Sequence, residues 1–239
     1  MGIIGDVFGL SSIYERQVQN VDNNNFESWP ESAAYGYFGG GATNPFPTLV
    51  CTIDRLDFFT EVASVPGNEL SRERFGLAVV SNSNYGYFGG GNAPPVVNII
   101  DRLDFSNETT SVPGNGISQA RYYLAAVSNF NYGYFGGGLN SPSVLLCTIN
   151  RLDFYTETTS LSGNGITQER YGLAAVSGGQ SQRPKGSRTY GYFVGGSNDS
   201  SPPISSFSTI DRLDFFNETV SVPGPDLSQS RYGLAGISN

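Results

Sequence analysis

The chain has 239 residues, with 21 acidic against 13 basic side chains, a formal net charge of −8 and no histidine. The lack of histidine excludes Ser-His-Asp and Cys-His catalytic relays and histidine-ligated metal sites. The acidic balance argues against nucleic-acid binding, and no run approaches the ~20 apolar residues that cross a bilayer, so we expect neither nucleic acid nor membrane insertion.

Residues 1–34 stand outside the pattern that organises the rest of the chain. Ser12 and Glu15 fit a capping box, and Tyr14, Val18 and Val21 have the spacing of one helix face. We expect a short N-terminal arm, which either straps the folded domain or anchors the protein to a larger particle. The candidate anchor consists of apolar residues: Ile3, Ile4, Val7, Phe8, Tyr14, Val18 and Trp29.

A repeat of roughly 50 residues runs through 35–239, and such a period marks a repeat architecture. Each copy carries the blocks Tyr-Gly-Tyr-Phe-x-Gly-Gly, Ile-Asp/Asn-Arg-Leu-Asp-Phe and Arg-Tyr/Phe-x-Leu-Ala. The blocks begin at Tyr35, Tyr85, Tyr132 and Tyr190; at Ile53, Ile100, Ile149 and Ile210; and at Arg74, Arg121, Arg170 and Arg231.

Each unit reads as four short strands, for example at 52–58, 61–65, 77–80 and 85–88. Ser-Asn, Gly-Gly-Gly and Pro-Gly-Asn between them are turn signals, because Gly allows positive φ and Pro presets a turn dihedral. Such units cannot bury both faces alone, and radial stacking of them gives a β-propeller.

The phase of the repeat predicts ring closure. The first glycine block has no Arg-Tyr-x-Leu-Ala strand before it, and the last such strand, at 231–239, has no glycine block after it. We therefore expect an all-β propeller of four four-stranded blades over 35–239, in which the C-terminal strand pairs with the first blade. Strand exchange between chains, and hence a homo-oligomer, remains an alternative.

Three features of each unit resemble the kelch repeat. They are an Arg before an apolar inner strand, a Gly-Gly doublet after the second strand and a Leu-Asp-aromatic run in the third; here they are Arg121, Gly136-Gly137 and Leu152-Asp153-Phe154. The resemblance implies kelch-type blades, although Thr or Ser replaces the outer tryptophan and kelch rings usually have more than four blades. Copper radical oxidase activity, known in kelch proteins, is excluded by the missing histidines.

The amino-acid sequences of the repeated blocks are also similar to repeats in predicted structural or tail-fibre proteins of marine bacteriophages. The similarity covers Tyr-Gly-Tyr-Phe-Gly-Gly-Gly, Asp-Arg-Leu-Asp-Phe, Leu-Ser-x-x-Arg-Tyr and the N-terminal Gly-Ile-Ile-Gly-Asp-Val-Phe-Gly-Leu segment. It implies a virion protein that is assembled in the host cytoplasm and exposed on the particle. Residues 1–34 would then bind other virion proteins.

The most repeated charges are Asp54, Arg55, Asp57 and their counterparts. They could bind calcium, but a charge-neutralising ladder between neighbouring blades is the simpler interpretation, because Arg55 and Asp57 share one strand face. The acids follow the repeat rather than forming one odd pair, so we expect no catalytic residue, metal or cofactor. Cys51 and Cys147 occupy one register in opposite blades and are expected to be free thiols.

Loops whose sequences differ between the copies of the repeat form the candidate recognition surface. The loops after the glycine blocks differ in every blade and are expected on the same face as the Pro-Gly-Asn turns. Their amides and aromatic rings suit a host-surface glycan, although they could also be solvated turns. The candidate residues are Asn44, Phe46, Asn68, Asn92, Asn115, Asn140, Asn164, Asn198 and Asp199.

These observations predict a non-enzymatic virion structural protein, of tail-fibre or capsid-decoration type, that presents the loop face for adhesion. A lectin-like carbohydrate-binding propeller is the alternative, and a glycan-active hydrolase is the third hypothesis.

Overall fold

A computed structural model describes residues 35–44, 48–141, 143–177, 190–198 and 205–236. The described chain divides into a small compact unit of residues 35–36 and 56–62 and a large one of residues 37–55 and 63–236. The N-terminal arm, with its candidate helix and anchor, lies outside the described residues, as do Phe46 and Asp199. Among the described residues, no helix has the length and apolar character needed to span a bilayer.

The described strands form one three-stranded sheet, three four-stranded antiparallel sheets and a two-stranded hairpin; we call the three-stranded sheet blade 1 and the four-stranded sheets blades 2 to 4. Blade 1 contains β1 (Tyr35–Thr43), β2 (Thr48–Asp57) and β3 (Ala63–Ser64). Blade 2 contains β4 (Ala78–Ser81), β5 (Tyr85–Gly89), β6 (Ile100–Asp104) and β7 (Thr110–Ser111). Blade 3 contains β8 (Ala125–Ser128), β9 (Tyr132–Gly136), β12 (Ile149–Asp153) and β13 (Thr159–Leu161), with a hairpin of β10 (Leu139–Asn140) and β11 (Val144–Leu145). Blade 4 contains β14 (Ala174–Ser177), β15 (Tyr190–Val194), β16 (Ile210–Asp214) and β17 (Val220–Ser221).

The hydrophobic core lies between successive blades. Val80 and Tyr87 of blade 2 pack in one cluster with Phe135 and Phe154 of blade 3, and the rings of Tyr87 and Phe154 stack with centroids 5.2 Å apart. Each buried side chain of this size contributes about 1.5–3 kcal/mol to folding. A blade of this chain is therefore stabilised mainly by its neighbours.

Glycine in the second strand lets one blade approach the next. A Cβ added at Gly89 would lie 2.6 Å from Cε1 of the buried Phe135, and a Cβ at Gly136 would lie 2.8 Å from Cε1 of the buried Phe193. No side chain fits at these distances unless the ring moves. The repeated glycine is thus a packing requirement.

A buried arginine precedes the inner strand of each four-stranded blade. Nη2 of Arg74 lies 2.6 Å from the carboxylate of Asp101, and both side chains are almost fully buried. Arg170 and Asp211 form the equivalent buried ion pair in blade 4. Because an unpaired buried charge is costly, these pairs hold the start of the inner strand in place.

Blade 3 satisfies its arginine with neutral partners. Arg121 is fully buried and donates hydrogen bonds to Oδ1 of Asn150 at 3.0 Å and to Oγ1 of Thr148 at 2.9 Å. Burial lowers the pKa of Arg121 to about 10, so the guanidinium stays charged at neutral pH. An amide oxygen can therefore replace the carboxylate at this position.

The same arginines join consecutive blades through their main chain. The carbonyl of Arg74 accepts a hydrogen bond from the N–H of Gly41 at 2.8 Å, and the carbonyl of Arg121 accepts one from Gly91 at 2.8 Å. In each case the glycine belongs to the preceding blade. Each of these arginines therefore stabilises its own blade through its side chain and the contact with the preceding blade through its carbonyl.

A second polar contact between blades explains the repeated Arg of the third strand. Nη1 of Arg102 lies 2.8 Å from Oε1 of Glu157 in the next blade, and Tyr87 OH donates to the same oxygen at 3.1 Å. Burial, reinforced by Glu157, raises the pKa of Tyr87 and keeps it protonated. The equivalent sets are Tyr37 and Arg55 with Glu108, and Tyr134 and Arg151 with Glu218.

This contact corrects the predicted charge ladder in one respect. A ladder does link neighbouring blades, but its acid is the glutamate of the outer turn and not the aspartate two residues after the arginine. That aspartate closes the turn instead: Oδ1 of Asp153 accepts hydrogen bonds from the N–H groups of Tyr155 and Thr156.

The predicted ring closure is not observed among the described residues. Blade 1 has no inner strand within the part of the chain that the structure describes. Asp54 and Arg231, which correspond in the repeat to Asp101 and Arg74, are both exposed. Phe38 is 61% exposed, whereas its counterparts in the other blades are buried. Val194 also replaces the glycine that would face a following phenylalanine. Closure remains a prediction.

Replacing Asp101 tests the buried arginine pair. Asp101→Ala leaves Arg74 buried without its counter-charge, so we expect it to lower the free energy of unfolding by about 3–5 kcal/mol. Asp101→Asn reproduces the arrangement of blade 3 and should cost clearly less. Urea unfolding followed by circular dichroism measures both, and equal losses would contradict the assigned role of the pair.

Charge exchange at Asp54 and Arg231 tests ring closure. If the C-terminal strand completes blade 1 of the same chain, Asp54→Arg and Arg231→Asp each destabilise the protein and the double variant recovers stability as a monomer. If closure occurs between chains, mixing the two single variants restores stability, because each joint then again pairs opposite charges. Unfolding curves and light-scattering masses distinguish these cases, and single variants as stable as the parent would contradict closure through this pair.

Candidate functional site

Loops from blades 2 and 3 converge on a pocket at the end of the strands where the glycine blocks stop. The pocket has a volume of about 340 Å³, within the range of about 300–1,000 Å³ common for small-ligand sites. We call it the loop-face pocket. It is lined by Asn92, Pro94, Pro95, Val96, Tyr122, Asn140, Ser141 and Ser143.

Tyr122 is the aromatic residue of the loop-face pocket, and the buried Arg121 beside it determines its place. The main chain of Tyr122 exchanges two hydrogen bonds with Leu139, each 2.9 Å long. Its ring lies 4.9 Å from that of Tyr123 and 6.1 Å from that of Phe75. Main-chain hydrogen bonds and neighbouring aromatic rings therefore fix the position of the Tyr122 ring without a ligand.

The walls of the pocket are two short, constrained loops. Pro94 and Pro95 restrict the φ angles of one loop. In the other, Oδ1 of Asn140 accepts a hydrogen bond from the N–H of Ser141 at 2.7 Å, and Ser143 has a positive φ of 96°. With Oδ1 engaged in the turn, the Nδ2 group of Asn140 is the donor that can serve a ligand.

The pocket presents hydrogen-bonding groups without charge. Its lining contains amides, hydroxyls, two prolines, one valine and one phenol, and no acidic or basic side chain. Next to it, burial raises the pKa of Tyr123, as do the nearby Tyr122 and Tyr171. The arrangement is suited to hold a neutral polar molecule against an aromatic ring.

The structure brings together two of the predicted site residues, Asn92 and Asn140. Asn115 and Asn164 lie elsewhere: their Nδ2 groups donate to the main-chain carbonyls of Glu157 and Glu218 in the following blade. The Pro-Gly-Asn turn that carries Asn115 and the Ser-Gly-Asn turn that carries Asn164 therefore contact the outer edge of the next blade and do not line the loop-face pocket.

The remaining predicted residues are dispersed. Asn44 is exposed after β1, Asn68 is half-buried after β3, and Asn198 is exposed and donates its N–H to the carbonyl of Ser205 at 3.3 Å. None of the three lines the loop-face pocket. Among the described residues, the loops that line this pocket belong to blades 2 and 3.

Tyr122 was not among the site residues predicted from the sequence. An available signal was its position directly after the repeated arginine, where every copy carries an aromatic side chain. Blade 3 is distinguished by a second aromatic, Tyr123, where the other copies have glycine.

The cysteines and acids of the described residues form no further site. Cys51 and Cys147 are free and half-buried, and burial together with Glu69 raises the pKa of Cys51. Within the described ranges, no group of three or more Cys, Asp or Glu side chains could hold a metal ion.

Comparison with known proteins supports the fold. No family model and no curated protein matches the sequence. Among solved structures, the chain is similar to that of YjhT, a kelch-repeat β-propeller protein, with a TM-score of 0.68 and 12% sequence identity over 85% of this chain and 71% of that one. The all-β fold predicted from the repeat is thus confirmed: the chain is built from kelch-type propeller blades.

Proposed function

We propose that this protein is a non-enzymatic adhesion propeller of a virion and that it binds a neutral carbohydrate in the loop-face pocket. The observation that carries the proposal is the pocket itself, where an aromatic ring, amides and hydroxyls meet without any charged side chain.

A sugar ring matches this lining because it has an apolar face of C–H groups and a rim of hydroxyls. The Tyr122 ring can pack against the apolar face, since an aromatic side chain offers a flat apolar surface with a polar tip. Asn92, Asn140 and Ser141 provide donors and acceptors for the hydroxyl rim. Uncharged donors favour a neutral sugar over an acidic one.

Binding without hydrolysis follows from the same lining. Glycoside hydrolysis generally requires two carboxyl groups, about 5–9.5 Å apart, on either side of the scissile bond. The lining of the loop-face pocket contains no carboxyl group. The geometry therefore favours recognition over glycan cleavage.

The virion assignment rests on the similarity of the repeat blocks and of the N-terminal segment to marine bacteriophage proteins. It gives residues 1–34 the role of an anchor to other virion proteins, with the blades presenting the loop-face pocket. A lectin-like propeller that acts free of any particle is the second candidate, and it shares the same pocket.

Asn140→Ala tests carbohydrate binding, with Asn198→Ala as its control. Asn198 occupies the same place in the repeat of blade 4 but does not line the pocket. On a glycan array and by calorimetry with the best neutral oligosaccharide, Asn140→Ala should weaken affinity roughly three- to tenfold, the loss of about 0.5–1.5 kcal/mol from one hydrogen bond. Asn198→Ala should bind as the parent does. An array with no neutral glycan bound, or equal affinity for parent and Asn140→Ala, would reject the proposed site.

Deleting residues 1–34 tests the anchor. We expect the truncated chain to fold and to bind the same glycan, but to be missing from purified particles when it is produced together with the full-length chain during assembly. Mass spectrometry of the particles measures incorporation. Equal incorporation would argue against the virion anchor, and a truncated chain that no longer folds would identify residues 1–34 as a strap.

A further inference from the structure

A second groove lies at the opposite end of the strands from the loop-face pocket, also between blades 2 and 3. Its volume is about 400 Å³. It is built from the turns that join the first two strands of both blades and from the outer turn of blade 3. We call it the turn groove, and it is lined by Asn82, Ser83, Asn84, Phe130, Asn131, Tyr132, Asp153, Phe154 and Tyr155.

The framework of the turn groove is part of the repeat. Oδ1 of Asn82 closes its turn by accepting the N–H groups of Asn84 and Tyr85, both at 2.8 Å. Asn129 closes the corresponding turn of blade 3 with the same pattern. Phe154 is buried below the groove. These residues would be present whether or not the groove had a function.

Two residues of the turn groove depart from blade 2 and are not needed by the framework. Phe130 stands where blade 2 has Ser83, and Tyr155 stands where blade 2 has Ser106. Phe130 is 80% exposed and Tyr155 is 96% exposed. Rings this exposed add little to folding, and the turns close equally well around serine in blade 2.

The outer-turn aromatic alone is not special to blade 3, since Phe216 of blade 4 is 83% exposed at the position of Tyr155. What sets blade 3 apart, within the described ranges, is the second ring, Phe130, on the adjacent turn. The two rings line the same groove. Two aromatic surfaces in one groove are a feature of ligand sites more than of solvated turns.

The polar lining indicates the class of ligand. Asn82, Ser83 and Asn131 place amide and hydroxyl groups beside the two rings, a combination that matches the hydroxyls and the apolar face of a sugar. Asp153 adds a carboxylate, and the whole chain carries a net charge of −8, so acidic ligands are repelled. We propose that the turn groove is a second carbohydrate site, specific for neutral oligosaccharides and independent of the loop-face pocket.

The test replaces Phe130 and Tyr155 with serine, the residue that blade 2 has at both positions. Phe130→Ser with Tyr155→Ser should fold as the parent does, because both side chains are exposed and the turn hydrogen bonds are unchanged; the urea midpoint checks this. Phe216→Ser is the matched control, since it removes an equally exposed ring from the same turn position of blade 4. Calorimetry with maltotetraose, cellotetraose and tetra-N-acetylchitotetraose, and with sialyllactose as the acidic comparison, measures binding.

We expect the double variant to lose at least about tenfold in affinity for a neutral oligosaccharide that the parent and Phe216→Ser bind equally. Sialyllactose should not compete. Asn140→Ala should leave binding in the turn groove unchanged, whether or not the loop-face pocket binds a sugar. The two proposals can therefore be rejected separately. Unchanged binding in the double variant, no binding of any neutral probe by the parent, or a parent dimer that the double variant abolishes would overturn the assignment.

Discussion

The buried arginine at the start of each inner strand is the interaction on which the rest of the structure depends. Its guanidinium is held inside its own blade by Asp101, Asn150 or Asp211, and its carbonyl accepts a hydrogen bond from a glycine of the preceding blade. A charge removed from water must keep these partners or the blade loses several kcal/mol. The arginine therefore sets the position of the inner strand and the spacing between blades together.

That arrangement also explains where binding surfaces can form. The residue after the arginine is carried to the loop end of the strands, which places Tyr122 in the loop-face pocket. Side chains between the blades are tightly packed: a Cβ added at Gly89 would clash with the ring of Phe135. Only the loops and turns are free to differ between copies, and both proposed sites lie there, where Pro94 and Phe130 depart from the repeat.

The sequence predicted part of the candidate site because loop variability is visible in a chain that otherwise repeats. Asn92 and Asn140 were identified in this way, and they do meet. Asn115 and Asn164 were grouped with them because their turns are expected on the same face as the loops after the glycine blocks, but these turns contact the next blade. Contacts between blades join residues far apart in the sequence, for example 42 positions for Asn115 with Glu157 and 67 positions for Arg151 with Glu218. These contacts depend on the angle between sheets, which no periodicity reports.

By itself, the sequence determined the all-β fold, the number of copies of the repeat and the framework residues, because period-two strands, glycine turns and a fixed repeat length leave few alternatives. The tertiary structure decided which acid faces which arginine: Arg102 contacts Glu157 of the next blade, Asp101 pairs with the buried Arg74, and Asp104 closes a turn. It also decided that Phe130 and Tyr155 share one groove. The reason is physical: sequence neighbours on a strand point to opposite faces, so partners are chosen by the packing of blade against blade.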